Sequence, residues 1–315
     1  MGSEAGVSPA SSLVEERGVA SSAARLPRAA AAYLLVAPFA LVLLLFFVLP
    51  IALTLVVSFW SYNEYSITPS FTLENYAGVF EGCVSRLPEL CTTFKTYLST
   101  AKFCVSVWAL TLLIGFIVSY FLAFHVRSPA VQIALFLVCT IPFWTSNVIR
   151  MISWIPLLGR NGVVNQTLTA MRATGEPIEW LLYSDFAVVL AFVHLFITFM
   201  IVPIFNSMMR IDRRLLEAAR DAGASGWQTL CNVVVPLCKP GIAIGSIFVV
   251  TIVMGDFVTI GVMGGQQIAS VGKVIQVETS YLQFPIAAAN AVILLAVVLM
   301  VIWGLTRLVD IRKEL

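Results

Sequence analysis

Charge is scarce in this sequence: Asp, Glu, Lys and Arg make up 11% of its 315 residues, against about 25% in an ordinary soluble chain. That scarcity excludes a water-facing surface of the usual kind. It excludes a nucleic-acid partner too, because the formal net charge is +2 and the basic residues form no continuous patch. Histidine is nearly absent, with His125 and His194 alone, and no Cys/His set has the spacing of metal ligands, so no metal site is expected. A phosphate-binding loop is missing as well: Gly272-Lys273 is followed by Val274, and Gln267 stands where the leading glycine would be. The chain is expected to bind no cofactor itself, and any nucleotide must bind elsewhere.

Long hydrophobic runs are what the sequence has instead. Hydrophobic residues make up 59% of it, and the mean hydropathy is +0.94. The six longest stretches free of Asp, Glu, Lys and Arg run 29–63, 103–126, 128–149, 186–209, 240–255 and 279–306, with 257–272 continuing the fifth beyond Asp256. A spanning helix needs about 20 residues, so six spans are the economical count. The fold class is therefore an all-α polytopic membrane protein with one six-helix transmembrane domain over 29–308. Residues 1–28, rich in Ala, Ser and Gly, lack the large apolar side chains of a core and are read as a disordered cytoplasmic tail, with 309–315 as a second tail. The first apolar run is too long for the core of a signal peptide and is read as an uncleaved span.

Orientation follows from the basic residues. With the N-terminus inside, the inner segments hold Arg17, Arg25, Arg28, Arg127, Arg210, Arg213, Arg214, Arg220, Lys239, Arg307, Arg312 and Lys313. The outer ones hold fewer: Arg86, Lys95, Lys102, Arg150, Arg160, Arg172 and Lys273. A positive excess marks the cytoplasmic side. Both termini and the charged segment 210–240 are thus expected in the cytoplasm.

Within that segment Ile211, Leu215, Ala218, Ala219 and Ala222 fall on one face of a helix, and Arg210, Arg213, Arg214, Glu217 and Asp221 on the other. Gly223 ends this amphipathic helix. Ser225-Gly226-Trp227-Gln228 then reads as a capping box that starts a second short helix, presenting Trp227, Leu230, Cys231 and Val234 along one side. Pro236 and Pro240 are expected to punctuate its end.

Glu217-Ala218-Ala219, three residues, Gly223, nine residues, then Val233-Val234-Val235-Pro236 resembles the EAA signature of binding-protein-dependent ABC importer permeases. Val233 and Val235 stand where that family usually shows Ile and Leu, which keeps the apolar character. The resemblance implies a cytoplasmic coupling helix that docks in a cleft of an ATPase subunit, with Glu217, Ala218, Ala219, Gly223, Trp227 and Pro236 as coupling residues. Three further stretches resemble the spermidine/putrescine type: Leu49 to Phe80; Arg150 to Trp154 with Gly159 to Asn165; and Gly255 to Thr259 with Gly264-Gly265.

What this resemblance implies is the type I ABC importer transmembrane fold in a bacterial inner membrane. The chain would be one of two permease subunits, similar or identical, with two ATP-binding subunits holding ATP and Mg and a periplasmic binding protein delivering a small solute. It would have no catalytic residue and no ATPase site of its own. A polyamine-like solute is expected, with opines or amino-acid-like compounds as alternatives within the family. Two other classes stay open: an ATP-independent secondary transporter, which would carry coupling residues in broken midplane helices, and an intramembrane enzyme, for which His194 with Asp256 is the only conceivable pair.

The remaining candidates are single polar residues. Arg150 is either a snorkelling anchor at the bilayer edge or a substrate contact. His194, inside the fourth span, is either functional or a neutral imidazole bonded to a neighbouring helix. Asp256 falls roughly 22 Å along a fifth span beginning at Gly241, as part of the translocation path or as a cap at a helix break. Asn290, near the outer end of the sixth span, is a further path candidate. Cys83 and Cys91 lie in an outer loop, an oxidising compartment, and a disulfide between them is predicted, two free thiols being the alternative.

Overall fold

A computed structural model describes residues 28–63, 66–81, 83 and 91–308. The tails expected at 1–28 and 309–315 lie outside these residues, apart from Arg28. In chain order, α1 (Leu35–Val57) leads through a hairpin of β1 (Ser61–Tyr62) and β2 (Ile67–Thr68) to the short α2 (Glu74–Val79). Next come α3 (Thr92–His125) and α4 (Pro129–Trp144), three short helices α5 (Asn147–Ile152), α6 (Ile155–Leu158) and α7 (Val163–Ala170), and then α8 (Asp185–Met209). The charged segment forms α9 (Arg213–Asp221), followed by α10 (Gly226–Gly255), α11 (Val258–Met263), α12 (Val271–Ser280) and α13 (Phe284–Leu308). Helices α1, α3, α8, α10 and α13 lie in five segments long and apolar enough to cross a membrane. The pair formed by α4 and the segment Asn147–Ala170, bent by 93°, makes a sixth crossing when counted as one span.

The chain divides into two units, Met1–Ala52 and Leu53–Leu315. In the first, the described residues are a helix with apolar side chains all round, Phe39, Phe46 and Phe47 being exposed. That composition suits lipid as solvent. A wide π turn at Leu44–Val48 precedes Pro50, and another at Leu230–Val234 precedes Pro236. Proline lacks the N–H that closes an α-turn and its ring crowds the carbonyl four residues back. A single wider turn accommodates both defects without ending the helix.

In the second unit the core is built on α8, the most enclosed of the long helices, packed against α3 and α10. Phe103, Val107, Thr111, Gly115 and Ser119 of α3 are buried at four-residue spacing, a single narrow stripe. Small residues let backbones approach closely: Met200 of α8 lies between Gly115 of α3 and Gly245 of α10, where an added Cβ would come within 3.0 Å and 2.7 Å of it. Lipid tails are as apolar as leucine, so packing and interhelical hydrogen bonds hold such bundles together. Trp108 donates to Ser246 Oγ at 2.8 Å, Ser119 to the Ile201 carbonyl at 3.1 Å, and Gln132 to the Leu122 carbonyl at 2.8 Å. Lys102, about three turns into α3, forms an ion pair with Asp185 at the start of α8.

Beyond α1, Asn75 of α2 donates to the carbonyls of Ser58 and Trp60 at 2.9 and 2.8 Å, which fixes α2 under the exit of the first span. Cys83 and Cys91 form a disulfide with their Cα atoms 4.7 Å apart.

Three sequence expectations are corrected. The third span, expected over about 130–149, gives way to a 3-10 turn at Ile141–Trp144, and Thr145 is extended. Pro142 inside that turn removes a backbone donor, and the chain resumes in a new direction. The second span starts at Thr92, well before 103, and its 34 residues extend about 51 Å, longer than the roughly 30 Å apolar layer. Pro236 and Pro240 do not end the second loop helix; both lie within α10, which runs unbroken from Gly226 into the fifth span.

Candidate functional site

The loop 210–240 is built from locally satisfied turns. Asp212 starts α9, its carboxylate accepting from the Arg214 N–H at 2.9 Å. At the other end the Ala224 N–H donates to the Ala219 carbonyl at 3.0 Å and the Gly223 N–H to the Arg220 carbonyl at 2.8 Å. With Gly223 at φ +81, this is a Schellman ending, which needs a left-handed residue after the last turn. The capping box follows: the Ser225 N–H donates to Gln228 Oε1 at 2.8 Å, and the Gln228 N–H to Ser225 Oγ at 3.3 Å. Two helices are thereby held with a sharp turn between them. Replacing Gly223 by Val, β-branched and unsuited to positive φ, is expected to cost about 1–2 kcal/mol of loop order. Asn should be tolerated better, and protease sensitivity of the loop measures the difference.

The apolar face of α9 is not covered as its composition demands. Ile211 is buried, but Ala218 and Ala222 are exposed, Leu215 is 48% exposed and Trp227 72% exposed. Glu217 is exposed beside them, and Ala219 and Pro236 are half-buried. Among the described residues the ion pairs are Lys102–Asp185 and Arg160–Glu179, and none involves a charge of α9. The base of the loop is anchored: Val234 and Cys238 are buried in the core. The result is a platform whose outer side exposes apolar groups together with charges that form no ion pair among the described residues.

The path candidates do not converge. Arg150 is not a surface anchor, being only 8% exposed. The bend in the third span carries α5 onto α8, so its guanidinium donates to the Leu195 carbonyl at 3.4 Å and to Asn147 Oδ1, while Nε is buried without a partner among the described residues. His194 accepts at Nδ1 from Trp154 Nε1 at 3.0 Å, with the rings edge to face. Asp256 lies past the end of α10, not along a helix, and accepts from the Thr259 N–H at 2.7 Å and the Thr259 hydroxyl at 3.1 Å. It therefore caps α11. Asp256→Ala should cost about 1 kcal/mol of stability and Asp256→Asn much less, read as thermal unfolding of the purified chain; equal losses would contradict the capping role.

Asn290 has a partner that sequence reading did not assign: its Nδ2 donates to both carboxylate oxygens of Glu278, at 2.9 and 3.0 Å. Burial pushes the Glu278 carboxyl above its ordinary range, and the Asn290 hydrogen bond opposes that rise. No sequence signal links the two, because they meet only when α12 folds back on α13.

No family model matches the chain. Curated relatives do. The spermidine/putrescine transport system permease protein PotB of Escherichia coli (strain K12) is 30% identical over 279 residues, covering 87% of this chain and 97% of that protein. The chain belongs to the PotB family of transport-system permeases. PotB of Haemophilus influenzae is 31% identical to the permease over 86% of its length and 93% of that protein. The inner membrane ABC transporter permease protein YdcU of Escherichia coli (strain K12) is 27% identical over 65% of the permease and 66% of that protein. A chain in the crystal structure of a bacterial alginate ABC transporter, in complex with alginate pentasaccharide-bound periplasmic protein, has the same fold. It superposes with a TM-score of 0.70 at 16% identity, over 91% of the permease and 96% of that chain. The protein is a membrane-embedded permease subunit of an ABC transporter.

Proposed function

We propose that the permease forms half of the path of an ATP-driven importer for small organic cations of the spermidine/putrescine kind. What carries this reading is the match along nearly the whole chain to permeases named for those solutes, at 30–31% identity over at least 91% of their length. A second permease subunit, similar or identical, completes the path, and a periplasmic binding protein delivers the solute. Two ATP-binding subunits hold ATP and Mg, and the permease has no ATPase site. The loop supports this division of labour, because its exposed Leu215, Ala218 and Trp227 are rigidly mounted and lack cover. The distribution of Lys and Arg supports termini and loop in the cytoplasm, where an ATPase is available.

In proteoliposomes holding the permease and its partner subunits, uptake of labelled spermidine is expected to require ATP on the side that exposes Glu217 and the binding protein on the other. Uptake that continues without ATP would reject the reading in favour of a secondary transporter. Uptake of amino acids or opines with no uptake of spermidine would keep the machine and change its cargo.

A further inference from the structure

A cavity of about 170 Å³ opens between α2, the start of α3, α12 and the start of α13. It has room for roughly five water molecules by volume. Val271 and Val274 supply an apolar wall, and Thr96, Tyr97, Glu278 and Asn290 supply its polar lining. One of these groups has bonding capacity that the chain leaves unused. The Glu278 carboxylate receives only Asn290 Nδ2, a neutral donor, and among the described residues no Lys or Arg forms an ion pair with it. Lys273 of the same helix instead donates to Gln276 Oε1 at 2.9 Å.

A half-buried carboxylate without a cation costs free energy that a suitable guest would recover. The guest must be positively charged and must donate a hydrogen bond to satisfy it. It must also have an apolar portion to lie against the valines. A primary ammonium on a short alkyl chain meets all three requirements, and the Tyr97 ring adds a face to which a cation is attracted. A bare metal ion fits less well, since only one carboxylate is present and hard cations want several oxygens.

We propose that this cavity binds the ammonium end of a primary alkylamine, with Glu278 as its counter-charge and Asn290 holding that carboxylate in place. The proposal rests on the amine reading of the transported solute and places one of the solute's contacts in the permease itself. Only Glu278 and Asn290 are assigned to it.

Equilibrium binding of labelled 1,4-diaminobutane to the purified complete importer, without ATP or binding protein, tests it directly. Glu278→Gln is expected to weaken that binding at least tenfold, and Asn290→Ala about tenfold through loss of the hydrogen bond that holds the carboxylate. No binding by the unaltered importer, or unchanged binding in Glu278→Gln, would overturn the assignment. Failure of the amine reading shows separately, as an importer that transports no diamine whatever the binding result.

Discussion

Glu217→Lys is expected to reach the membrane in wild-type amount, to unfold at the wild-type temperature, and to lose both its ATPase partner and its transport. Insertion and stability survive because Glu217 is exposed and forms no ion pair within the described chain; a surface change of that kind usually stays within about 0.5 kcal/mol. Docking does not survive, because reversing a charge at a protein interface places like charges together at a cost of several kcal/mol. About 3 kcal/mol corresponds to roughly a hundredfold weaker association. Glu217→Gln removes the charge without reversing it and should fall between the two. Co-purification of the ATPase subunit and ATP-dependent uptake are the measurements, and a Glu217→Lys variant normal in both would reject the coupling role of α9.

Gly241→Leu should fail in the opposite way, by preventing the bundle from forming. A Cβ at position 241 would sit 2.5 Å from the Pro203 carbonyl oxygen and 2.5 Å from Ser207 Oγ. The carbonyl belongs to the backbone of α8 and cannot rotate away as a side chain would. Overpacking a formed core costs typically 1–3 kcal/mol and sometimes more, and here the helix that must move is the one on which α3 and α10 both pack. A loss of about 3 kcal/mol or more is expected for Leu and roughly 1 kcal/mol for Ala. Gly304→Leu is the control, since nothing lies within 4 Å of a Cβ there. Membrane yield and thermal unfolding of the purified chain read the effect; a Gly241→Leu variant as stable as Gly304→Leu would contradict the close crossing of α8 and α10.

What was legible in the sequence was local. The left-handed Gly223 at the end of α9 and the reciprocal bonds of Ser225 and Gln228 are set by residues within a few positions of each other. Spans four and six are long apolar runs, and their helices follow those runs closely. The prolines misled because their effect depends on the turn before them: after a π turn Pro236 continues a helix, whereas Pro142 in a 3-10 turn ends one. Arg150 looked like an edge anchor because its burial is decided by α8, more than forty residues away in the chain, whose Leu195 carbonyl it reaches. The pairing of Glu278 with Asn290 is likewise tertiary, made across the turn between α12 and α13. Alanine periodicity grouped Leu215, Ala218 and Ala222 on one face of α9, but these stay exposed in the chain, and it is Leu216, outside that group, that packs against the core.

The most direct measurement is side-specific labelling of a cysteine at position 217. Cys231 is a free, exposed cysteine that the reagent could also reach, so Glu217→Cys is made together with Cys231→Ser. A membrane-impermeant maleimide should then modify residue 217 in sealed inside-out vesicles and not in right-side-out ones, and bound ATPase subunit should block the reaction. Modification from the outer side, or modification that the ATPase subunit leaves unchanged, would contradict a cytoplasmic loop that receives the motor of the transporter.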